Sequence, residues 1–437
     1  MDYQAPPAPY TLERIKLLSN SGNFHKDRTH TLRILEHWKA KASEGLPEGR
    51  KPKMVFVCSS GGGMLASLWT LRSLQYLDSA TQGRLMRQTA LMTGSSGGMI
   101  GNAYFRELWW RQQQGLVENA YDRQYPRKIA LDKLTPTIFA FVVADFMFRF
   151  QTFELAGREH YRDRGYSLER QFLLDTDSML DMPLAAYRKP EEEGKIPLLF
   201  IAPTIVNDGR KLYISPQPIS YMNTGRPLAN RHRETKVVGV EFRRMFDQQG
   251  ADSLRFMTAL RMNATFPYIT PSVVLPSAPA VSIMDAGLAD NFGVSDAAHF
   301  IYVFQDWINA NTSGVVLLSL RVVPREEGKR HGLGMGSQSQ LTTPISGVLG
   351  NMFAMQDVGN ERELQYLEDL LQVPLHQVNF EYLNESNKEL VEEASLSWRL
   401  TRREQQGVLD AVESPYNQKA RETLQAELLR ASGAAAK

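Results

Sequence analysis

The sequence predicts an α/β fold, with a parallel-rich central sheet, helices on both faces and a helical C-terminal part. Three observations predict it. An apolar run, "MVFVC" (Met54 to Cys58), stops at the glycine-rich "SSGGG", and helix-spaced leucines follow. The same order recurs as "TALMT", "GSSGG" and "MIGNAYFRELWW". Two successive strand–turn–helix units imply parallel strands covered by helices. Finally, the segments "NERELQYLEDLL", "NKELVEEASL", "TRREQQGVLDAV" and "QKARETLQAELLRA" make the C-terminal part mostly helical.

The elements follow in order. Residues 1–52 read as an N-terminal helical extension, in which "THTLRILEHWKAKA" sets Leu32, Leu35 and Trp38 on one face. "SEGLPEGRKPK" is a loop. After the first strand, Leu65, Leu68, Leu71, Leu74 and Leu77 repeat at helical spacing. Residues from about 114 to 195 are aromatic, basic and irregular, and read as an insertion. Strands resume at "IPLLFIAPT", "KLYISP" and "KVVGVEF". A helix, "SLRFMTALRMNA", precedes the proline-rich "TFPYITPSVVLPSAP". The strand "AVSIM" leads into "DAGLADNFG" and a helix around "SDAAHFIYVF". "SGVVLLSLRVV" is a buried strand, and "REEGKRHGLGMGSQSQLTTP" is a mobile loop. The expected organisation is the extension, a main domain over 53–325 carrying the insertion, and a loop and helices over 326–437 packing on that domain. No internal repeat is visible, and the "ASGAAAK" tail is expected to fray.

Composition narrows the function classes. A chain of 437 residues can bury a sizeable core without metal or disulfide support. Hydrophobic residues at 43% and charged residues at 22% are those of a soluble globular protein. A net charge of +2 lacks the basic excess of a nucleic-acid binder. Cys58 is the one cysteine, which excludes an intrachain disulfide and fits a reducing compartment. The eight histidines show no zinc-ligand spacing, so no metal is expected. The N-terminus lacks a basic start followed by an apolar core, so no secretory leader is expected. "IFAFVVADFMF", Ile138 to Phe148, falls short of the roughly 20 residues needed to cross a bilayer, and Asp145 interrupts it. It reads as a buried helix or the wall of an apolar pocket, with interfacial membrane contact as the alternative. A cytoplasmic protein, with or without peripheral membrane contact, is the expectation.

"GSSGG" carries the chemistry. Gly94, Ser95, Ser96, Gly97 and Gly98 fit the form G-x-S-x-G with Ser96 at its centre. Ser95 does not fit, because Thr93 would take its first glycine position. In a nucleophile elbow the serine sits on a strained strand-to-helix turn. The positions two before and two after it, here Gly94 and Gly98, must be small because backbone passes close by. The alternative is a plain glycine turn with incidental serines. A nucleophilic serine also needs oxyanion donors and a base. Gly61, Gly62 and Gly63 end the neighbouring strand and offer unobstructed amides. Phosphate cradling is the rival reading, but the segment lacks both the Lys-Ser/Thr of a P-loop and a G-x-G-x-x-G pattern.

Two bases remain open. Asp285 ends the strand "AVSIM" and is followed by the small residues Ala286 and Gly287, which allow another loop to pack against it. Desolvation would raise its pKa toward usefulness. The alternative is a turn or helix cap. Asp290 and Asn291 read as turn or supporting residues. His299 follows, and the order Ser96, Asp285, His299 also suits an α/β-hydrolase triad, although His299 on the apolar helix "AAHFIYVF" equally reads as a core histidine.

In that order and context, "SSGGGMLA", "GSSGG" and "DAG" resemble the patatin-like phospholipase family. The resemblance runs from about Pro52 to Val294, and arguably to "ASLSWRLTRREQQGVLDAV"; "MNATFPYITPSVVLP" resembles the family's small-residue and proline segment. It implies a three-layer α/β/α fold and a serine acyl hydrolase acting on fatty-acyl esters of lipids, without metal or cofactor. Residue by residue, it implies Ser96 as nucleophile, Asp285 as base and Gly61–Gly63 as oxyanion hole. The chain departs from the family pattern at Ser60 and at Leu65, where the family has an arginine, and at Ala286, where it usually has glycine. Leu65 puts a charge contact to phosphate in question and is the best argument for an inactive lipid-binding homologue. "PTIFAFVVADFMFRF" and the Phe266–Val274 loop are candidate walls of an acyl trough. Arg106, Arg111, Arg149 and Arg158 are either head-group contacts or solvated surface.

Overall fold

The structure is a computed structural model that describes residues 1–133, 152–155, 158–161, 164–225, 236–265, 271–322, 343–382 and 399–429. The elements used below run α1 (Ser21–Ala42), β1 (Met54–Ser59), α2 (Gly63–Ala80), β2 (Thr89–Gly94), α3 (Ser96–Gln113), β3 (Leu198–Leu199), β4 (Thr204–Ile205), β5 (Lys211–Tyr213), β6 (Gly239–Glu241), α4 (Phe256–Asn263), β7 (Val273–Leu275), β8 (Val281–Met284), α5 (Val294–Asn311), β9 (Val315–Arg321), α6 (Thr343–Leu370), β10 (Leu375–Glu381), α7 (Arg402–Ala411) and α8 (Pro415–Leu429).

The main sheet is parallel throughout, in the order β10-β9-β1-β2-β3. Every residue of β1, β2 and β9 is buried, which is why these strands read as unbroken apolar runs. Side chains alternate across the sheet. Val55 and Val57 face a cluster with Leu65, Leu68, Leu71, Ile100 and Leu424 from α2, α3 and α8. Met54, Phe56 and Cys58 face Leu35, Trp38, Phe300, Ile301 and Leu367 from α1, α5 and α6. The result is helices on both faces of the sheet, as the composition of the runs predicts. Each such aliphatic side chain contributes about 2 kcal/mol through burial. Cys58 lies fully inside, and the Thr93 hydroxyl donates to its sulfur at 3.4 Å.

A second five-stranded sheet, β7-β8-β4-β5-β6, is antiparallel except between β5 and β6. Its strands are only two to four residues long. The run expected as one strand, "IPLLFIAPT", divides between the two sheets: β3 pairs with β2, and β4 pairs with β8. Pro203 lies just before β4 and has no amide to continue the first ladder. The chain therefore crosses from sheet to sheet beside the end of β2.

Two other features differ from the sequence reading. The proline-rich segment contains a strand, β7. The C-terminal part contributes β10, which pairs with β9 over seven residues. Only alternate residues such as Val378 and Phe380 join the core, so its apolar signal is half that of an interior strand. The main sheet thus draws a strand from beyond residue 325. The helices read at "NERELQYLEDLL", "TRREQQGVLDAV" and "QKARETLQAELLRA" are present as the end of α6, α7 and α8. α7 opens with a capping box between Thr401 and Glu404. "NKELVEEASL", all but the last two residues of "REEGKRHGLGMGSQSQLTTP" and the whole of "PTIFAFVVADFMFRF" lie outside the described residues.

Candidate active site

β2 ends at Gly94 and α3 begins at Ser96, so Ser95 and Ser96 occupy the turn. Ser96 has φ +49°, which a residue with a Cβ rarely adopts. Such a conformation costs about 1–3 kcal/mol and persists only when the surroundings impose it. Backbone on every side imposes it here. A Cβ at Gly97 would lie 1.8 Å from the Gly63 carbonyl oxygen, and one at Gly98 would lie 2.3 Å from the Ser60 carbonyl oxygen. Gly94 is confined as well, since a Cβ there would lie 2.7 Å from the Ser59 carbonyl oxygen. The Ser67 hydroxyl, on α2, donates to the Gly97 carbonyl at 2.9 Å. The two strand–turn–helix units are therefore locked together at their turns.

Gly61–Gly63 join β1 to α2 in that contact. Their three amides are not equivalent. Gly61 N–H donates to the Asn291 carbonyl at 2.9 Å. Gly62 and Gly63, at φ +144° and +56°, donate to no group among the described residues. They sit at the N-terminus of an 18-residue helix, where the helix dipole favours negative charge. Leu65, one turn in, is buried in the core between α2 and the sheet, so position 65 presents no cation to the site.

Asp285 follows β8 of the second sheet and is 4% exposed. Its backbone is pinned by Thr265, whose carbonyl accepts its amide at 2.9 Å, and by Thr204, whose hydroxyl donates to its carbonyl at 3.0 Å. Oδ1 accepts the Gly287 amide at 2.8 Å and the Ser95 hydroxyl at 3.2 Å. Oδ2 is buried and makes no hydrogen bond. Burial pushes the carboxyl up to about 6, against the opposing pull of the Gly287 amide and the Ser96 and Ser95 hydroxyls. Ser96 thus lies near enough to favour the charged carboxylate without closing an aligned hydrogen bond to it. Unaligned contacts of this kind are common in ligand-free catalytic sites. Ala286 has ordinary helical angles, φ −61° and ψ −27°, so alanine costs the backbone nothing there. Gly287 is needed for space, since a Cβ would lie 3.1 Å from Asp285 Oδ1 and 3.2 Å from Ser95 Oγ.

Residues distant in sequence hold the acid loop. Asp290 accepts the amides of Phe292 and Gly293 on Oδ1 and that of Ser295 on Oδ2. The Lys211 ammonium reaches Asp290 at 3.3 Å and Asp296 at 2.8 Å. Burial raises the Asp290 carboxyl, but the Lys211 charge together with the hydrogen bonds from Ser295, the Phe292 amide and Lys211 outweighs it and holds it below its ordinary value. Gln356, on α6, accepts the Asn291 amide at 2.9 Å and donates to the Gly287 carbonyl at 3.0 Å. Asn263 ties three segments together: it bonds the Gly94 carbonyl at 3.2 Å, the Ala202 amide at 3.1 Å and the Ala286 amide at 3.2 Å. Sequence reasoning missed Ser95, Lys211, Asn263 and Gln356. Ser95 in "GSSGG", Lys211 in "KLYISP" and Asn263 in "MNATFP" stood in segments already read, whereas Gln356 did not.

Other candidates lie apart from this cluster. His299 Nε2 pairs with the Tyr221 carbonyl at 2.9 Å, and Asp285 receives no hydrogen bond from it. Its ring lines a groove of about 560 Å³ with Phe24, His25 and Tyr302, none of them in the Ser96–Asp285 cluster. Arg106 is neither solvated nor free for a head group: it is 2% exposed and paired with the buried Glu191. Arg111 pairs with Glu107 at 2.6 Å. Arg149, the side chain of Arg158 and residues 266–270 lie outside the described residues. Among the described residues, no helix is long and apolar enough to cross a membrane, and no group of acidic, histidine or cysteine side chains could hold a metal.

No family model and no curated protein matches the sequence. Solved structures that are similar include human GIVD cytosolic phospholipase A2, with 11% identity and a TM-score of 0.44, over 93% of this chain and 67% of that one. The same enzyme in complex with methyl gamma-linolenyl fluorophosphonate gives 13% identity and a TM-score of 0.39, over 93% and 64%. VipD from Legionella pneumophila gives 10% and 0.25, over 82% and 67%. This chain spans about two thirds of the length of each. At these values the likeness is weak, and the functional reading rests on the site's own geometry.

Proposed function

We propose that the protein is a serine acyl hydrolase that cleaves fatty-acyl esters of lipids through a Ser96–Asp285 dyad. The observation that carries this is the pairing of a serine at φ +49° on a strand-to-helix turn with a buried carboxyl that has one hydrogen-bond-free oxygen. Ser96 Oγ forms a bond to the ester carbonyl carbon as its proton passes to Asp285. The amides of Gly62 and Gly63 hold the oxyanion; Gly61, whose amide is engaged by Asn291, acts by letting the acid loop approach. The carbon–oxygen bond to the leaving alcohol breaks, and the alcohol takes the proton. Water then attacks the acyl carbon, with Asp285 again accepting the proton; the bond from that carbon to Ser96 Oγ breaks, Oγ takes the proton back and the fatty acid leaves. A carboxyl raised to about 6 is ionised at neutral pH yet basic enough to share a proton. The lipid nature of the substrate rests on the resemblance of the three motifs to the patatin-like family.

The triad with His299 is the weaker reading, because the imidazole sits on Tyr221 and Asp285 bonds elsewhere. Hydrolysis of a short-chain ester and of a phospholipid by wild type, Ser96→Ala, Asp285→Asn and His299→Ala separates the possibilities. The expected outcome is loss of about 10³-fold or more in kcat for the first two variants and retained activity for His299→Ala. Equal loss in a folded His299→Ala protein would install the triad. An inert wild type that a fluorophosphonate does not label would leave a binding protein.

A further inference from the structure

Ser95 is a serine at the N-cap position of α3, where its ordinary task is to accept a hydrogen bond from the first-turn amides. It does not do so: its side chain makes no cap. The hydroxyl turns the other way and donates to Asp285 Oδ1 at 3.2 Å. The space it enters is tight, and glycine on both sides keeps it open: a Cβ at Gly61 or at Gly287 would lie 3.2 Å from Ser95 Oγ. Ser95 is wholly buried, whereas Ser96 keeps 7% of its surface. The carboxylate is therefore asymmetric: Oδ1 is occupied by Ser95 and Gly287, and Oδ2 is unbonded.

Given the acyl-hydrolase reading, on which this rests, we infer that Ser95 is a positioning residue: its hydroxyl anchors Oδ1 of Asp285 and so leaves Oδ2 as the proton acceptor for Ser96. Ser95 touches neither substrate nor the reacting oxygen. It fixes the rotation of the carboxylate across the junction of the two sheets. Forgoing the cap also leaves the first-turn amides of α3 free to face the site. The groups facing the carboxylate are the Ser95 and Ser96 hydroxyls and the Gly287 amide, and none of them carries a charge.

The test is the rate at which a fluorophosphonate labels the full-length protein between pH 4.5 and 8.5, with the labelled peptide located by mass spectrometry. Wild type, Ser95→Ala, Ser95→Thr and Ser96→Ala are compared. A hydroxyl that donates to the ionised carboxylate favours that form, so its removal raises the pH at which Asp285 ionises. Ser95→Ala is expected to move the acid limb of the profile up by about half to one pH unit and so to slow labelling at pH 6 by roughly 2- to 6-fold. In ester hydrolysis kcat falls and KM holds. Ser95→Thr, which keeps the hydroxyl, is expected to retain the wild-type limb. Should Ser95→Ala not fold, Ser95→Cys, a weaker donor of similar size, serves the same comparison. Label on Ser96 with an unmoved limb in the alanine variant would overturn the role of Ser95 and leave the dyad intact. Label on Ser95 would overturn it outright. No label on wild type would remove the dyad reading itself, and this inference with it.

Discussion

The two halves of the site are built by different means. The elbow of Gly94–Gly98 is set by backbone against backbone: three glycines hold off the carbonyls of Ser59, Ser60 and Gly63, and the parallel sheet beneath is buried throughout. The acid loop of Asp285–Gly293 leaves a sheet of very short strands and is set by side chains reaching in from Lys211 and Gln356. Local geometry positions Ser96, and long-range chemistry positions Asp285. The first half should fail abruptly when volume is added, and the second by degrees when charge or hydrogen bonds are removed.

The largest effect is expected from Gly97→Ala. Its Cβ meets a backbone oxygen that no side-chain rotation can move away, so the turns must separate. Loss of more than about 4 kcal/mol of stability, or failure to fold, is the expected result by urea titration. A stable, active alanine variant would refute the backbone account of the elbow. Next is Lys211→Met, which keeps the side-chain length but leaves Asp290 and Asp296 buried without their cation. About 3–5 kcal/mol should be lost at pH 8 by the same titration, and less at pH 5, where these carboxyls take up protons. A loss independent of pH would mean that packing, rather than charge, holds the loop.

The smallest expected effect carries a sign that sharpens the contrast. The Asp285 carboxyl is raised by burial from an ordinary 3.8 to about 6. Between those values the folded protein binds more protons than the unfolded chain, so this group lowers stability as pH rises through the window. Asp285→Asn removes that titration. Relative to wild type, its stability should therefore increase from pH 4 to pH 8 by on the order of 2–3 kcal/mol, read from thermal or urea unfolding at each pH. A flat difference would mean that the acid is not held in the desolvated state described.

The same contrast explains what was legible in the sequence. Ser96, its flanking glycines and the parallel pair β1 and β2 were legible because strand, turn and helix follow one another within a few residues. Asp285 was legible as an acid before two small residues. Its supports were not. Lys211 and Gln356 are ordinary polar residues in their own segments, and only the folded chain brings them to the loop. Ser95 was set aside because it fails the G-x-S-x-G form, and a serine before a helix normally reads as a cap. Pro203 was visible, but that it marks a change of sheet depends on β8 arriving to pair with β4. β10 escaped because only one of its faces is apolar.

The fate of Cys58 has a practical side. It is the sole cysteine in 437 residues, it lies inside the central sheet, and burial pushes its thiol up to about 12. At neutral pH it is protonated and shielded, so maleimides and spin labels should ignore it while the protein is folded. A cysteine placed at an open position such as Leu116, 67% exposed, would be the single reactive thiol. The native sequence is thus already a suitable background for attaching one reporter dye.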